Sequence, residues 1–241
     1  ILGVDKVSDI FSYIDDPAEY IEELEPKVAA NILGSMEADD AVDILEELED
    51  DTSNELIELI DEEAKKDIDL IQSYDEDEIG SKMTTNYVSL TLDLTIRQAM
   101  KRLVEQAADN DNIMTLYVKK ADGTFYGAID LKDLIIARDY VELESLVTTS
   151  YPYVHDHETV DDCIEELKDY SEDSIPVLDK DMHILGVITS QDLVEVVDEE
   201  MGEDYAKLAG LAAEEELEEP LGQSLKKRVP WLLVLLMLGM V

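Results

Sequence analysis

Carboxylate side chains are the groups in this sequence with the clearest capacity for chemistry. From Glu37 to Glu63 the chain carries 14 acidic residues and no Lys or Arg. A solvated helix face usually pairs an acid with a base four positions away, whereas like charges at that spacing, as at Asp39 and Asp43, destabilise a helix by roughly a few tenths of a kcal/mol. Because hard cations such as Mg²⁺ prefer oxygen ligands, the run indicates either an ordinary acidic surface or one that collects divalent cations.

A second group of carboxylates falls on one side of a predicted helix near residue 200. Its four central members lie within about 80° of one another at about 100° per residue: Asp192, Glu195, Glu199 and Glu203. Glu200 and Asp204 widen this ridge, and apolar residues beginning with Leu193 take the opposite side. Mg²⁺ usually keeps several waters and takes only one or two carboxylates. Two facing acidic ridges are therefore sufficient to trap hydrated Mg²⁺ without a dedicated cage.

The charge balance of the chain restricts its partners. Its 241 residues include 18 Lys and Arg against 61 Asp and Glu, for a formal net charge of −43, yet 45% of the residues are apolar. The apolar content predicts one large or two small folded domains rather than a disordered chain. The negative charge excludes nucleic acid and anionic membrane surfaces as partners for the bulk of the molecule, and it calls for cations to compact the fold.

Several kinds of site are absent from the sequence. It has no nucleophile–base pair, glycine-rich phosphate loop or zinc-ligand spacing, so the chain is not predicted to be an enzyme. It also lacks the D-x-D-x-D-G loop of a calcium buffer. The single cysteine, Cys163, excludes a disulfide framework and is predicted to lie in the core. His155, Asp156 and His157 are interpreted as an exposed, alternating strand rather than a metal-binding pair.

Two internal repeats show which elements carry the carboxylates. Residues 1–73 repeat an apolar pattern at 10–14, 32–36 and 56–60, each copy followed by an acidic turn and a second apolar stripe. Its three- and four-residue steps predict pairs of short helices stacked into a superhelix.

The second repeat has an offset of 59 residues. Residues 116–134 and 175–193 both read as strand, turn, strand and helix, and Thr95 and Thr159 each open a helix upstream. The β-α-β-β-α order predicts two tandem α/β units whose sheets pack together.

The last part of the chain has a different character. A basic cluster at 226–228 precedes the uncharged residues 229–241, in which Trp231 occupies the place of an interfacial aromatic anchor. This stretch is shorter than the about 20 residues that span a bilayer. It predicts the start of a truncated transmembrane helix, with the preceding chain on the cytoplasmic side; a buried C-terminal helix is the alternative.

The repeated turns carry a resemblance to known families. Residues 186–193 fit the G-V/I-I/L-S/T-x-x-D-L turn of CBS domains, and residues 127–134 share its Gly, Ile, Asp and Leu but have Asp130 in the Ser/Thr place. Residues 74–84 fit a Y-x-E-D-E-x-G-x-x-M-T segment. An acidic superhelix, this segment, a CBS pair, a linking helix and a membrane segment together resemble the MgtE family of magnesium channels.

The resemblance implies an α plus α/β fold in five parts: an α-helical superhelical N domain at 1–73, CBS domains at 74–141 and 142–199, a connecting helix at 200–228, and the start of the first transmembrane helix at 229–241. It implies a homodimer in the cell membrane, with this region in the cytoplasm and joined to its own pore domain. Several Mg²⁺ ions per subunit would bridge the acidic surfaces and stabilise the closed pore.

The metal ligands are carried over from the family position by position. They are Asp9, Asp39, Asp43, Asp161, Asp192, Glu195, Glu200, Glu203 and Asp204. One departure is that Ser171 stands where the family has an acid, with Glu172 next to it. The sequence leaves the choice among Mg²⁺, Mn²⁺ and Ca²⁺ open, because carboxylates bind all three.

A nucleotide-sensing module is the alternative interpretation. CBS pairs often bind adenine nucleotides such as ATP, and the resemblance places Lys132 near the phosphates and Asp133 on a ribose. In such CBS pairs the Thr or Ser and the Asp of the turn hold ribose and phosphate. Thr189 and Asp192 fit that role in the second copy, but the acidic ridge around Asp192 disfavours a phosphate there.

Overall fold

The computed structural model describes residues 4–194 apart from residues 12, 13, 15, 109, 111, 168–171 and 191. The chain divides into two units, Ile1–Ser190 and Gln191–Val241, and nearly all the described residues belong to the first. The predicted connecting helix at 200–228 and the predicted membrane segment at 229–241 lie outside the described residues.

Six short helices form the N-terminal part of the first unit. They are α1 (Val4–Phe11), α2 (Pro17–Glu22), α3 (Pro26–Leu33), α4 (Ala38–Glu47), α5 (Asp50–Leu59) and α6 (Glu62–Ile71). The odd-numbered helices stack on one side, with α3 against α1 and α5, and the even-numbered helices stack on the other, with α4 against α2 and α6. This two-layer stack confirms the predicted repeat of helical pairs.

Local signals in the sequence explain where these helices start. Pro17 and Pro26 occupy the first helical positions of α2 and α3, where a missing N–H costs no hydrogen bond. The Asp61 side chain caps α6 by accepting from the amides of Glu63 at 3.0 Å and Ala64 at 3.1 Å. Because each helix is short, its stability comes from burying one apolar stripe against its neighbours.

Two three-stranded sheets follow. The first copy of the 59-residue repeat, which we call the first CBS unit, contains β1 (Val88–Thr91), α7 (Ile96–Gln106), β2 (Thr115–Lys119), β3 (Phe125–Asp130) and α8 (Leu131–Ile136). The second contains β4 (Val154–His155), α9 (Val160–Leu167), β5 (Ser174–Leu178) and β6 (Ile184–Thr189). Short 3-10 helices, Ile79–Lys82 and Leu143–Leu146, precede each unit.

The two sheets have the same topology and register. Each places its middle strand parallel to the first and antiparallel to the third. The antiparallel pairs begin with Thr115 opposite Asp130 and with Ser174 opposite Thr189, and each has an irregularity after Val118 or Val177. These equivalences keep the 59-residue offset of the sequence repeat.

The sheets share a core, as the sequence predicts. Tyr117, Phe125 and Ala128 from the first sheet are buried against apolar residues of the second, which are Leu178, Ile184 and Val187. A separate core between the first sheet and its helices contains Leu116, Ile129 and Leu134. Cys163 is buried in α9, which confirms its predicted place in the core.

Candidate functional site

The acidic helix α4 has one buried face and one face that carries carboxylates. Ala41, Ile44 and Leu45 are buried, whereas Asp43 is exposed and Asp39, one turn earlier, is half-buried. Asp39 lies in the first turn of α4, where the helix dipole favours negative charge. The helix can therefore hold Asp39 and Asp43 on adjacent turns although no basic residue follows at helical spacing.

The start of α4 is fixed to the chain that leads into the CBS pair. Glu37, which precedes the helix, accepts from Asn86 Nδ2 at 2.9 Å. On α6, Asp67 accepts from Thr85 Oγ1 at 3.0 Å, and burial raises the pKa of Asp67 above the ordinary value of an aspartate. Residues 85–86 thus contact the start of α4 and helix α6, and they hold the acidic surface in place relative to β1.

The segment 74–82 forms a second connection, to the turn between β4 and α9. The Tyr74 hydroxyl donates to Asp156 Oδ2 at 3.2 Å, and His157 Nδ1 lies 2.8 Å from Glu78 Oε1. A Cβ added at Gly80 would lie 2.7 Å from the Tyr74 ring, so the glycine allows this ring to pack. Tyr74 and Glu78, which belong to the family signature at 74–84, therefore contact residues that are distant in the sequence.

The interpretation of residues 155–157 as an exposed strand was wrong in part. Strand β4 ends at His155, and the chain then turns, so that His157 faces Glu78. Period-two alternation could not reveal this, because the partner is 79 residues away in sequence. In the sequence, the indication of a partner for His157 is the acidic residue Glu78 inside the segment 74–84.

The predicted metal ligands whose side chains the structure describes lie in three places. Asp39 and Asp43 lie on α4, Asp161 is exposed in the first turn of α9, and Asp192 begins the helical stretch 192–194. Asp9 lies in α1, but its side chain is outside the description, as are all of Glu195, Glu200, Glu203 and Asp204. Among the side chains that are described, no three His, Cys, Asp or Glu residues stand together as a metal site. The metal-ligand assignment thus stays a prediction.

The predicted nucleotide residues lie at the start of α8. Lys132 and Asp133 are both exposed in its first turn. Asp130, which replaces the Ser or Thr of the CBS pattern, caps this helix by accepting from the Lys132 amide at 2.8 Å. The replacement therefore keeps the capping role that a serine or threonine side chain serves at a helix N-terminus.

Family models match the chain from residue 1 to residue 199 in this order of parts. Residues 1–77 match the MgtE intracellular N domain, and residues 77–140 and 143–199 match the CBS domain. The chain belongs to the MgtE family. This membership confirms the resemblance found in the sequence, and the helical N domain followed by a CBS pair confirms the predicted fold class.

Similar proteins extend this result. The chain is 37% identical to the magnesium transporter MgtE of Enterococcus faecalis (strain ATCC 700802 / V583) over 243 residues, which cover 99% of the chain and 53% of that protein. It is similar to the crystal structure of the soluble part of a magnesium transporter, with a TM-score of 0.78, 30% identity, and coverage of 83% and 79% of the two chains.

A further similar structure is the cytosolic domain of the Mg²⁺ channel MgtE in complex with ATP, with a TM-score of 0.75, 26% identity and coverage of 81% of each chain. The chain spans about half the length of the curated MgtE relatives that it matches. Of the helices among the described residues, none has the length and hydropathy that a bilayer crossing requires.

Proposed function

We propose that this chain is the Mg²⁺-sensing cytosolic region of a magnesium transporter. The observation that carries the proposal is its similarity, over 83% of the chain, to the soluble part of a magnesium transporter. The acidic surface of α4, with Asp39 and Asp43 one turn apart, supports it. In this role the chain binds ions and changes its conformation, and it catalyses no reaction.

The mechanism follows from the net charge of −43. At low Mg²⁺ the acidic surfaces of the N domain and of the CBS pair repel each other. At high Mg²⁺, ions bound by Asp39, Asp43, Asp161, Asp192 and the later acids, with Asp9 a weaker contributor, neutralise that repulsion and favour the form in which the pore is closed. Hydrated Mg²⁺ suits this task because it needs only one or two carboxylates at each site.

Weak sites are sufficient for a steep response. Moving a two-state equilibrium from 1:99 to 99:1 needs about 5.5 kcal/mol of differential binding. A site filled at about ten times its dissociation constant contributes about 1.4 kcal/mol. Four such sites per subunit therefore supply the required free energy, and no single strong site is needed.

The proposal includes a second copy of the chain and a membrane pore. Helices α7 and α8 pack together and expose apolar side chains, with exposures of 66% at Val104, 60% at Ile135 and 66% at Ile136, and Tyr140 in the turn after α8 is 83% exposed. A homodimer would cover them. The pore belongs to the half of the relatives' length that this chain does not span, and residues 229–241 are proposed to lead into it from the cytoplasmic side.

Small-angle X-ray scattering of residues 1–228 across a Mg²⁺ titration, at fixed ionic strength, tests the sensor. The radius of gyration is expected to fall at millimolar Mg²⁺ and to stay unchanged when K⁺ replaces it. The double variant Asp39→Asn/Asp43→Asn should need several-fold more Mg²⁺. Its control is Asp69→Asn/Asp93→Asn, which removes the same charge from exposed positions elsewhere. Equal titrations for the two double variants would contradict the assignment of α4.

A nucleotide is the second candidate ligand, and the ATP complex of a similar cytosolic domain favours it. Lys132 and Asp133, exposed at the start of α8, are proposed to contact the phosphates and the ribose. Calorimetric titration with ATP should give weaker binding for Lys132→Ala than for Lys66→Ala, which removes an exposed lysine from α6. The absence of binding at millimolar ATP would exclude this ligand.

A further inference from the structure

The contact between the segment 74–82 and the second CBS unit contains an imidazole among carboxylates. We call the four residues Tyr74, Glu78, Asp156 and His157 the Tyr74–His157 junction. His157 Nδ1 lies 2.8 Å from Glu78 Oε1, its Nε2 lies 3.8 Å from Asp156 Oδ2, and the Tyr74 and His157 ring centroids are 5.4 Å apart. The tyrosine hydroxyl closes the group by donating to Asp156.

Backbone hydrogen bonds attach the same two segments on either side of the junction. The amide of Gly80 donates to the Asp156 carbonyl at 2.9 Å, and the amide of Ile79 donates to the Glu158 carbonyl at 2.8 Å. In the other direction the Val160 amide donates to the Asp77 carbonyl at 2.9 Å. Any loosening of the side chains in the junction therefore acts directly on measurable backbone amides.

A backbone hydrogen bond fixes the orientation of the Glu78 carboxylate toward His157. Glu78 Oε2 accepts from the Asp75 amide at 3.0 Å, which leaves Oε1 for His157. This backbone bond, followed by the bond to His157, lowers the pKa of Glu78. A fixed carboxylate loses little side-chain entropy when it pairs, and this raises the contribution of an otherwise exposed ion pair.

Among the described residues, the charged groups that raise the pKa of His157 are all acidic. Glu78 and Asp75 approach from the segment 74–82, together with the neutral Tyr74 phenol, and Asp156 approaches from the turn that carries His157. The hydrogen bond with Glu78 is the main cause that raises the pKa of His157, and the Asp156 charge is the second. Burial, followed by the Asp156 charge, raises the pKa of Tyr74 to about 12, so the phenol stays neutral at physiological pH.

We propose that the Tyr74–His157 junction is a proton-sensitive connection between the end of the N domain and the second CBS unit. With His157 protonated, the imidazolium binds Glu78 and Asp156 and keeps the segment 74–82 attached; with His157 neutral, the ion pair is lost and the segment opens more often. Because α6 ends at Ile71, just before Tyr74, the opening removes one of the two connections described for the N domain and leaves the contacts of Thr85 and Asn86.

The direction of the pH effect follows from linkage. A histidine whose pKa is higher in the folded form contributes stability that is fully present below its unfolded value, about 6.5, and that is lost as the pH rises through the folded value. The junction therefore weakens with rising pH across the neutral range. As a consequence that rests on the proposed function, acidification makes the closed form easier to reach at a given Mg²⁺ concentration.

Hydrogen exchange of the full chain in Mg²⁺-free buffer tests the junction. The protection of the Ile79 and Gly80 amides, relative to their intrinsic exchange rates at each pH, is expected to fall about two- to fivefold from pH 5.5 to pH 8.5. His157→Gln and Glu78→Gln should remove this dependence and show the lower protection at every pH. Glu76→Gln, which removes an exposed carboxylate from the same segment, should behave as the unmodified chain does.

Two results would overturn the proposal: unchanged protection across the pH range in the unmodified chain, or a retained pH dependence in His157→Gln. Proton NMR gives a second readout, because the titration midpoint of His157 should fall in Glu78→Gln and not in Glu76→Gln. Repeating the exchange with 10 mM Mg²⁺ separates the two proposals. A pH dependence without any Mg²⁺ response would support the junction and count only against the sensor.

Discussion

Thr84 and Val187 form a reciprocal pair of backbone hydrogen bonds. The Thr84 amide donates to the Val187 carbonyl at 2.8 Å, and the Val187 amide donates back to Thr84 at 2.9 Å. Thr148 and Ala128 form the equivalent pair, at 2.8 and 3.2 Å. The segment that precedes each CBS unit therefore pairs with the third strand of the other unit. Neither unit is complete without the chain that leads into its partner.

This exchange gives a physical reason for the glycine that opens the CBS turn. A Cβ at Gly186 would lie 2.7 Å from the Thr84 carbonyl oxygen, and one at Gly127 would lie 2.5 Å from that of Thr148. Gly127→Ala and Gly186→Ala are each expected to lower the free energy of unfolding by about 1–3 kcal/mol, because backbone atoms must move apart. Urea denaturation followed by circular dichroism measures the change.

Gly34→Ala is the control, since a Cβ there would come no closer than 3.2 Å to its nearest neighbour. It should change the free energy of unfolding much less than either CBS variant. If Gly127→Ala were as stable as the unmodified chain, close approach of the exchanged segments would not be the reason for the glycine.

The contribution of Asp67 to the stability of the fold should fall as the pH rises. A carboxylate whose pKa is lowered by folding shows the opposite dependence. The pKa of Asp67 is raised from the ordinary value of 3.8, mainly by burial, although the Thr85 hydroxyl bonds to it. The folded form binds this proton more tightly, so stability declines as the pH rises from that value through the folded pKa. Asp67→Asn keeps an acceptor for Thr85 and is expected to increase stability at pH 7.

Thermal unfolding at pH 4 and pH 7 checks this expectation. Asp69→Asn, at an exposed position on the same helix, removes the same charge and controls for the general effect of reducing the net negative charge. Asp67→Asn should raise the melting temperature more than Asp69→Asn at pH 7, with a smaller difference at pH 4. Equal increases at pH 7 would mean that burial of Asp67 has no net effect.

The exposed apolar face of α7 and α8 should control the association of two copies. Ile136→Asp places a charge on this face and is expected to weaken self-association at least tenfold in analytical ultracentrifugation, because a carboxylate cannot be buried without a partner. Leu59→Asp makes the same change at a partly exposed apolar residue of α5 and should leave association unaltered. A sedimentation coefficient for Ile136→Asp equal to that of the unmodified chain would argue for another interface.

Mg²⁺ should stabilise the folded chain in proportion to the number of filled sites. At about ten times the dissociation constant each site adds about 1.4 kcal/mol. For a chain of this size, about 1 kcal/mol corresponds to roughly 2–4 °C in melting temperature. Scanning calorimetry at matched ionic strength should therefore show a rise of several degrees that K⁺ does not produce. Asp39→Asn/Asp43→Asn should reduce this rise more than Asp69→Asn/Asp93→Asn does.

Local patterns in the sequence are sufficient to predict the helices and strands, the two repeats and the family. Apolar residues at helical spacing predict each helical pair, and the 59-residue offset predicts two units of like topology, because burial of one face is encoded within a few turns or strands. Caps such as Asp61, with its side chain on the first turn of α6, are equally local. The same local logic identified Asp39 and Asp43 as neighbours on one helix.

The contacts between residues that are distant in sequence depend on tertiary packing. Tyr74 and Asp156 are 82 residues apart, and nothing in the periodicity of either segment indicates that the phenol bonds to that carboxylate. Glu78 and His157 are likewise joined by the packing of a connecting segment on a turn, and Thr84 pairs with Val187 through exchange between the CBS units. Such contacts depend on how whole sheets and helices pack, and a hydrophobic pattern specifies which face is buried without specifying what covers it.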